Sequence, residues 1–150
     1  MLLITGQKNI IMIRGITFSA FDLFHAGHVA MLSEAKGQCD YLVACIHADP
    51  SKENPDKNKP VQSLLERQIQ VNGCRYVDET IVYESEEDLR NILRTIPWDV
   101  RIIGEEYMNK HFTGKEEFNL PSKKVYYNYR QHTFSSSELR SRIQCKTQDK

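Results

Sequence analysis

"IIMIRGITFSAFDLFHAGHVAMLSEAKG", Ile10 to Gly37, decides how this chain folds. It opens on a β-branched apolar run, Ile10 to Phe18, broken by a charge only at Arg14, which reads as a strand buried centrally in a sheet. Val29, Met31, Leu32 and Ala35 then recur at helical spacing, and Gly37 supplies a stop. Strand, turn and helix in that order form the first half of a βαβ unit.

Outward from this unit the alternation continues. "DYLVACIHAD" (Asp40 to Asp49) is a second strand, followed by the polar loop "SKENPDKNKP". "SLLERQIQVNGC" reads as a helix that Ser63 caps, "ETIVYE" as a strand, and "SEEDLRNILRTI" as a helix with acidic residues in its first turn, where the dipole favours them. "WDVRIIGEE" and "KKVYYNY" are further strands, with a loop from Tyr107 to Ser122 between them. The last helix starts at "SSSELRSRI", where Ser135 and Glu138 have capping-box spacing. Such a pattern predicts an α/β, Rossmann-like open sheet, mostly parallel, with helices on both faces in a single domain.

Length and charge bound the function. At 150 residues the chain suits one domain, with residues 1–11 a possible extension and 144–150 a disordered tail. Twenty Lys and Arg balance twenty Asp and Glu, so the bulk charge points to no nucleic acid, membrane surface or polyacidic partner. An anion site must therefore be local. The four cysteines lack CxxC or zinc spacing, and "MLLITGQKNI" lacks the basic region and apolar core of a signal peptide, so a soluble cytoplasmic protein with reduced thiols is expected.

In an open parallel sheet, ligands bind outside the carboxyl ends of the strands, where "SAFDLFHAGH" must lie. His25 and His28 would share a helical face, beside the free amides of a helix start. Two imidazole donors over an amide cradle suit a phosphate, and Gly27 removes a side chain from its approach. Half of a metal site is the alternative, although no third ligand stands at a convincing spacing, and the expected metal ligands are none. Two unrelated surface histidines are the plainer alternative.

"FDLFHAGHVAML" resembles the first signature, G-T-F-D-x-x-H-x-G-H, of the nucleotidyltransferase (cytidylyltransferase-like) superfamily, and among its members the glycerol-3-phosphate cytidylyltransferases. "KPVQSLLERQ", "RYVDETIVY", "RIIGEEY" and "YRQHTFSSSELRSRI" resemble its later blocks in the same order. The similarity covers about Ile13 to Ile143.

The resemblance implies transfer of CMP from CTP, with Mg²⁺, to a small phosphorylated alcohol such as glycerol 3-phosphate, releasing pyrophosphate. His25 and His28 would contact the triphosphate and the charge that develops on it. Lys59 or Lys57 would close over the phosphates or the acceptor, and Arg130, Ser135 and Ser136 would hold the β- and γ-phosphates. Phe18, Ser19, Ala20, Phe21, Asp22, Gly27, Arg75, Gly104 and Glu106 would shape the nucleotide site. Asp22 is expected to orient the histidine turn through backbone amides. Asp78, Lys110 and His111 are candidates for the acceptor, with Lys115 beside them. A homodimer is also implied.

Two departures from the family pattern qualify these roles. Ser19 and Ala20 replace Gly-Thr, which removes a pliant glycine, and Gln131, His132 and Thr133 replace Thr-x-Gly in the last signature, R-T-x-G-I-S-T-T. The triple serine also occurs in adenylyl-transferring relatives, so ATP with a sugar phosphate or other phosphate is a second reading. A nucleotide-binding module without turnover is a third.

Overall fold

The computed structural model of the chain describes residues 11–118 and 120–148. The proposed extension therefore lies almost wholly outside the described residues. Five strands, β1 (Arg14–Ser19), β2 (Tyr41–His47), β3 (Glu79–Tyr83), β4 (Val100–Gly104) and β5 (Lys124–Asn128), form one sheet in the order β3-β2-β1-β4-β5. Every pairing is parallel, so the expected mostly parallel sheet is parallel throughout.

β1 begins at Arg14 rather than Ile10 because its partner strand begins at Tyr41, which pairs with Arg14. Ile11, Met12 and Ile13 stay exposed ahead of it, and Ile13 is tied down by the Asp40 carboxylate and amide instead of a ladder.

Four helices cover the sheet: α1 (Ala26–Lys36), α2 (Leu64–Asn72), α3 (Glu86–Thr95) and α4 (Ser136–Gln148). Along β2 the side chains alternate between two cores, as the two-residue period of a strand requires. Leu42, Ala44 and Ile46 face Leu32 and Ala35 of α1 and Val71 of α2. Val43 and Cys45 face Leu89 and Leu93 of α3, with Trp98. Capping boxes begin α2, where Ser63 and Glu66 bond reciprocally, and α3, where Ser85 and Asp88 do.

α4 runs on through Gln148, so Gln144 to Gln148 are helical where the sequence suggested a disordered tail. No Gly or Pro interrupts that segment to end the helix earlier. The Tyr107 to Ser122 loop contains a 3₁₀ turn over Lys115–Phe118. All four cysteines are free thiols.

A parallel sheet has two unlike edges. Ser19, His47, Tyr83, Gly104 and Asn128 end their strands at one edge, and there a cleft opens. Residues that precede strands belong to the opposite edge.

Candidate functional site

The cleft measures about 800 Å³. At its centre the histidine pair is built into the backbone of α1. His25 is the N-cap, and its Nδ1 accepts the Gly27 amide at 3.0 Å; the Nδ1 of His28 accepts the His25 amide at 3.2 Å. Both rings thus form a capping box in place of the usual Ser and Glu. Because each Nδ1 is an acceptor, each neutral ring carries its proton on Nε2.

Burial pushes the His28 pKa down to about 3, helped by His25 and opposed by Asp22. His25 is also lowered, by burial and then by Arg130 and His132. The site therefore holds two neutral imidazoles as fixed Nε2–H donors. Phe24 stacks on His28 at 5.5 Å between ring centres. Gly27 is required by space: a Cβ there would stand 2.8 Å from Cε1 of His25 and 3.0 Å from that of His132.

The turn before α1 is strained at two side-chain-bearing residues, Phe21 (φ 51°) and Leu23 (φ 50°). Ser19 and Ala20 are not in that region, so replacing Gly-Thr by Ser-Ala costs the backbone nothing there. The strained turn is held by Asp22, 7% exposed, which accepts the Val61 and Gln62 amides at 2.9 and 3.0 Å and pairs with Arg140 at 2.8 Å. This corrects the expectation for Asp22: the amides it orders lie in the approach to α2, not in the histidine turn. Phe21 and Asp22 sit behind the cleft, whereas Phe18, Ser19 and Ala20 line it.

Arg67, 2% exposed, straps the same region from α2. It donates to the carbonyls of Ala20 (2.9 Å), His47 (2.6 Å), Ala48 (2.6 Å) and Gln62 (3.3 Å). In the sequence it stands beside Glu66 and Gln68 like any polar helix residue, and nothing there announced four carbonyl partners.

On the β4–β5 side, Gly104, Glu106, Asn128, Arg130, His132, Ser135 and Ser136 line the cleft. The Glu106 side chain fills the space a Cβ on Gly104 would need. Arg130 donates to the Phe134 carbonyl at 2.6 Å, and its amide donates to Glu105 at 3.2 Å. Ser135 accepts the Glu138 amide at 3.1 Å, and the Ser136 hydroxyl donates to the Asp22 carbonyl at 3.1 Å. These bonds place the N-terminus of α4 beside the histidines.

The β2–β3 side contributes His47, Glu53, Lys57 and Glu86 to the lining, and β4 and the loop after it add Arg101 and His111. Arg101, 4% exposed, donates to the Thr113 carbonyl at 2.6 Å and lies over the rings of Phe18, Phe112 and Phe118. Burial pushes its pKa down to about 10. Of the loop lysines, Lys57 lines the cleft and Lys59 does not; Lys110 and Lys115 also lie outside it.

Arg75 and Asp78 are not brought to this cleft. Both precede β3 and so belong to the amino-terminal edge of the sheet, where Asp78 accepts the Leu42 amide at 2.7 Å and pairs with Lys36 at 2.5 Å. Motif order in the sequence does not tell which edge a residue reaches. Sequence reading also missed Arg67, Arg101, His47, Glu53, Glu86 and Asn128 as site residues, and treated His132 only as a departure. The charge inside "DVRIIG" and the imidazole ending "YLVACIH" were the legible hints.

Among the described residues, five buried side-chain polar atoms have no partner: His47 Nδ1, Gln70 Oε1, Arg101 Nε, Asn128 Nδ2 and His132 Nδ1. Four of their residues line the cleft. Buried polar groups are almost always satisfied, so orphans gathered in one concavity mark where a polar ligand completes the structure. Among the described residues, the side chains with metal-ligand spacing are His47, Glu53 and Glu86, and neither histidine of the HxxH pair is one of them.

The chain is similar to known proteins in sequence and in fold. Curated relatives include the probable ethanolamine-phosphate cytidylyltransferase of Encephalitozoon cuniculi, 50% identical over 62 residues, which cover 41% of this chain and 19% of that protein. The ethanolamine-phosphate cytidylyltransferase of Dictyostelium discoideum is 30% identical over 127 residues, 82% of this chain and 35% of that one. The chain thus spans well under half the length of these relatives. Among solved structures, the lipopolysaccharide core biosynthesis protein of Thermoplasma volcanium shares the fold, with a TM-score of 0.62 at 24% identity over 80% of this chain and all of that one. Residues 16–142 match the model of the cytidylyltransferase-like family, and with the HxGH turn at the head of a wholly parallel sheet, the chain belongs to that family.

Proposed function

We propose that the protein is a cytidylyltransferase that moves CMP from CTP to a small phosphorylated alcohol and releases pyrophosphate. An acceptor phosphate oxygen forms a bond to the α-phosphorus, and the bond from that phosphorus to the β-phosphate oxygen breaks, with the electron pair leaving on pyrophosphate. The attacking phosphate is already anionic, so no side chain need take a proton. Catalysis falls to positioning and to stabilisation of charge.

The observation that carries this reading is the pair of imidazoles fixed as neutral Nε2–H donors, His25 and His28, at the head of α1. Rigid donors aimed at developing phosphoryl charge act without reorganisation. Arg130 and the start of α4 supply further positive character for the leaving pyrophosphate. Glu106, just after β4, and Asn128, at the end of β5, line the cleft and would meet the base. Lys57, which faces the cleft, takes the closing role over Lys59.

The phosphate end of the cleft offers N–H donors, which fit phosphate oxygens and not a metal. Mg²⁺ would accordingly arrive with the triphosphate, ligated by its oxygens and water, and would neutralise its charge. The acceptor is either ethanolamine phosphate, for which relatives are named, or glycerol 3-phosphate, to which the sequence resemblance pointed.

The deciding assay is pyrophosphate release with Mg²⁺ and either CTP or ATP over a panel of phosphorylated alcohols. Turnover with CTP, lost in His28→Ala, is expected. Turnover with ATP alone would replace cytidylyl by adenylyl transfer, and nucleotide binding without turnover would make the protein a binding module. A homodimer is part of this proposal, supported by Leu65 and Ile69, which stand exposed one turn apart on α2. Light scattering is expected to give twice the 17.5 kDa chain mass, and Leu65→Lys to return it to the monomer value.

A further inference from the structure

The cleft presents different groups at its two ends. Around the histidines it presents N–H donors and the Arg130 guanidinium; at the ends of β2 and β3 it presents Glu53, Glu86 and His47. One acceptor atom from each of these three lies within 4.8 Å of the others. Glu53 is held in place by the Glu86 amide, which donates to its Oε2 at 2.8 Å and leaves the other oxygen free. His47 is 4% exposed and its Nδ1 is buried with no partner. Burial lowers its pKa despite Glu86, Glu53 and Asp49, so the ring is a neutral acceptor here. Tyr83 packs against it at 4.6 Å between ring centres.

Three acceptors around one point match a group with three donors. A tetrahedral ammonium with hydrogen bonds of about 2.9 Å holds its acceptors about 4.7 Å apart, and the three acceptors here all lie within 4.8 Å of one another. Two carboxylates, Glu86 half-buried and Glu53 exposed, also supply negative charge for a cation seated against His47. β2 is the immediate neighbour of β1, which leads into the histidine loop, and neighbouring strands lie about 4.8 Å apart.

We propose that His47, Glu53 and Glu86 form the acceptor subsite of the cleft and bind a primary ammonium, so that the acceptor is a short phosphorylated amino alcohol. This rests on the cytidylyltransferase reading for its turnover but not for its binding. The phosphate of the acceptor then faces the histidines, and its ammonium faces the triad. An uncharged polyol phosphate brings no cation to the two carboxylates, and a trimethylated amine has no N–H to give them.

The test pairs binding with turnover. Calorimetry with ethanolamine phosphate, glycerol 3-phosphate and choline phosphate is run on the wild type, Glu53→Gln and Glu86→Gln, with CTP binding as the check that each variant is folded. Ethanolamine phosphate is expected to bind about 10- to 100-fold tighter than the other two, the worth of one hydrogen bond to a charged group, and each variant to erase most of that preference. The ratio of kcat/KM for ethanolamine phosphate over glycerol 3-phosphate, with CTP, is expected to follow.

Selective binding without turnover keeps the ammonium subsite and overturns the transferase reading. Turnover that prefers glycerol 3-phosphate, or a preference unchanged in both variants, overturns the subsite and keeps the transferase. Tight uptake of Zn²⁺ or Mn²⁺ alone, abolished in Glu86→Gln and blocking ethanolamine phosphate, would make the triad a metal site and overturn the proposal.

Discussion

His28 shows how a single residue serves fold and chemistry at once. Its Nδ1 closes the cap of α1 while its Nε2–H faces the cleft, so one ring orientation does both. Its protonation behaviour has a stability consequence with a definite sign. The unfolded ring takes a proton below about pH 6.5, whereas the native ring resists until about pH 3. Between those values the unfolded state binds more protons, so stability falls as pH falls, by up to about 1.4 kcal/mol per unit. Urea unfolding at pH 7 and pH 5 is expected to show about 2 kcal/mol less acid loss in His28→Gln than in the wild type. Equal losses would mean that the ring is not held neutral. In activity, His28→Ala is expected to lower kcat by about 10²- to 10³-fold, the effect of removing one fixed donor. The histidines were legible because chemistry and spacing coincide in four positions. Lys57 and Lys59 were not, because a polar loop has no period from which to read the facing side.

The legible elements were those with both a period and a cap. α2 was read from its cap Ser63 and α3 from the acidic residues of its first turn, and each begins with a capping box, Ser63 with Glu66 and Ser85 with Asp88. The extent of β1 and of α4 was less legible, because a strand begins where its partner does and a helix end without Gly or Pro carries no mark. How elements are tied together was not legible at all. Arg67 is the clearest case: from α2 it satisfies carbonyls that follow β1 and β2, so the helix holds the floor of the cleft. Arg67→Met, which keeps much of the side-chain volume, leaves those carbonyls without their donor. It is expected to cost about 3 to 5 kcal/mol, read as a lower urea midpoint. α4 is tied to the turn through Arg140 and Ser136 on Asp22. Arg140→Leu is expected to weaken CTP binding more than it weakens the fold, because Asp22 keeps its two amide donors while α4 keeps only the Ser136 bond to the turn. Calorimetry and urea unfolding on the same sample separate the two effects.

For the whole molecule, the direction of five parallel strands decides what meets what. Residues far apart in sequence, from Ser19 to Asn128, converge because each ends a strand, and Arg75 and Asp78 are excluded because they precede one. The convergence leaves His47, Arg101, Asn128 and His132 each with a buried polar atom unpaired, a cost the fold carries until a ligand meets those atoms. Binding and folding are therefore linked. Both cores share β2, and the strap from Arg67 and the tie at Asp22 join α2 and α4 to the same turn, so the chain should unfold in one cooperative transition. CTP at about 100 times its Kd should stabilise the native state by about 2.7 kcal/mol, which raises Tm by several degrees for a chain of this size. Scanning calorimetry with and without CTP and Mg²⁺ checks this. A single peak that moves upward is expected, and the shift should shrink in Asn128→Ala, which removes one of the unpaired atoms from the cleft. A peak that CTP leaves in place would show that the orphaned groups face something other than this nucleotide, and two peaks would show that the sheet is not one cooperative unit.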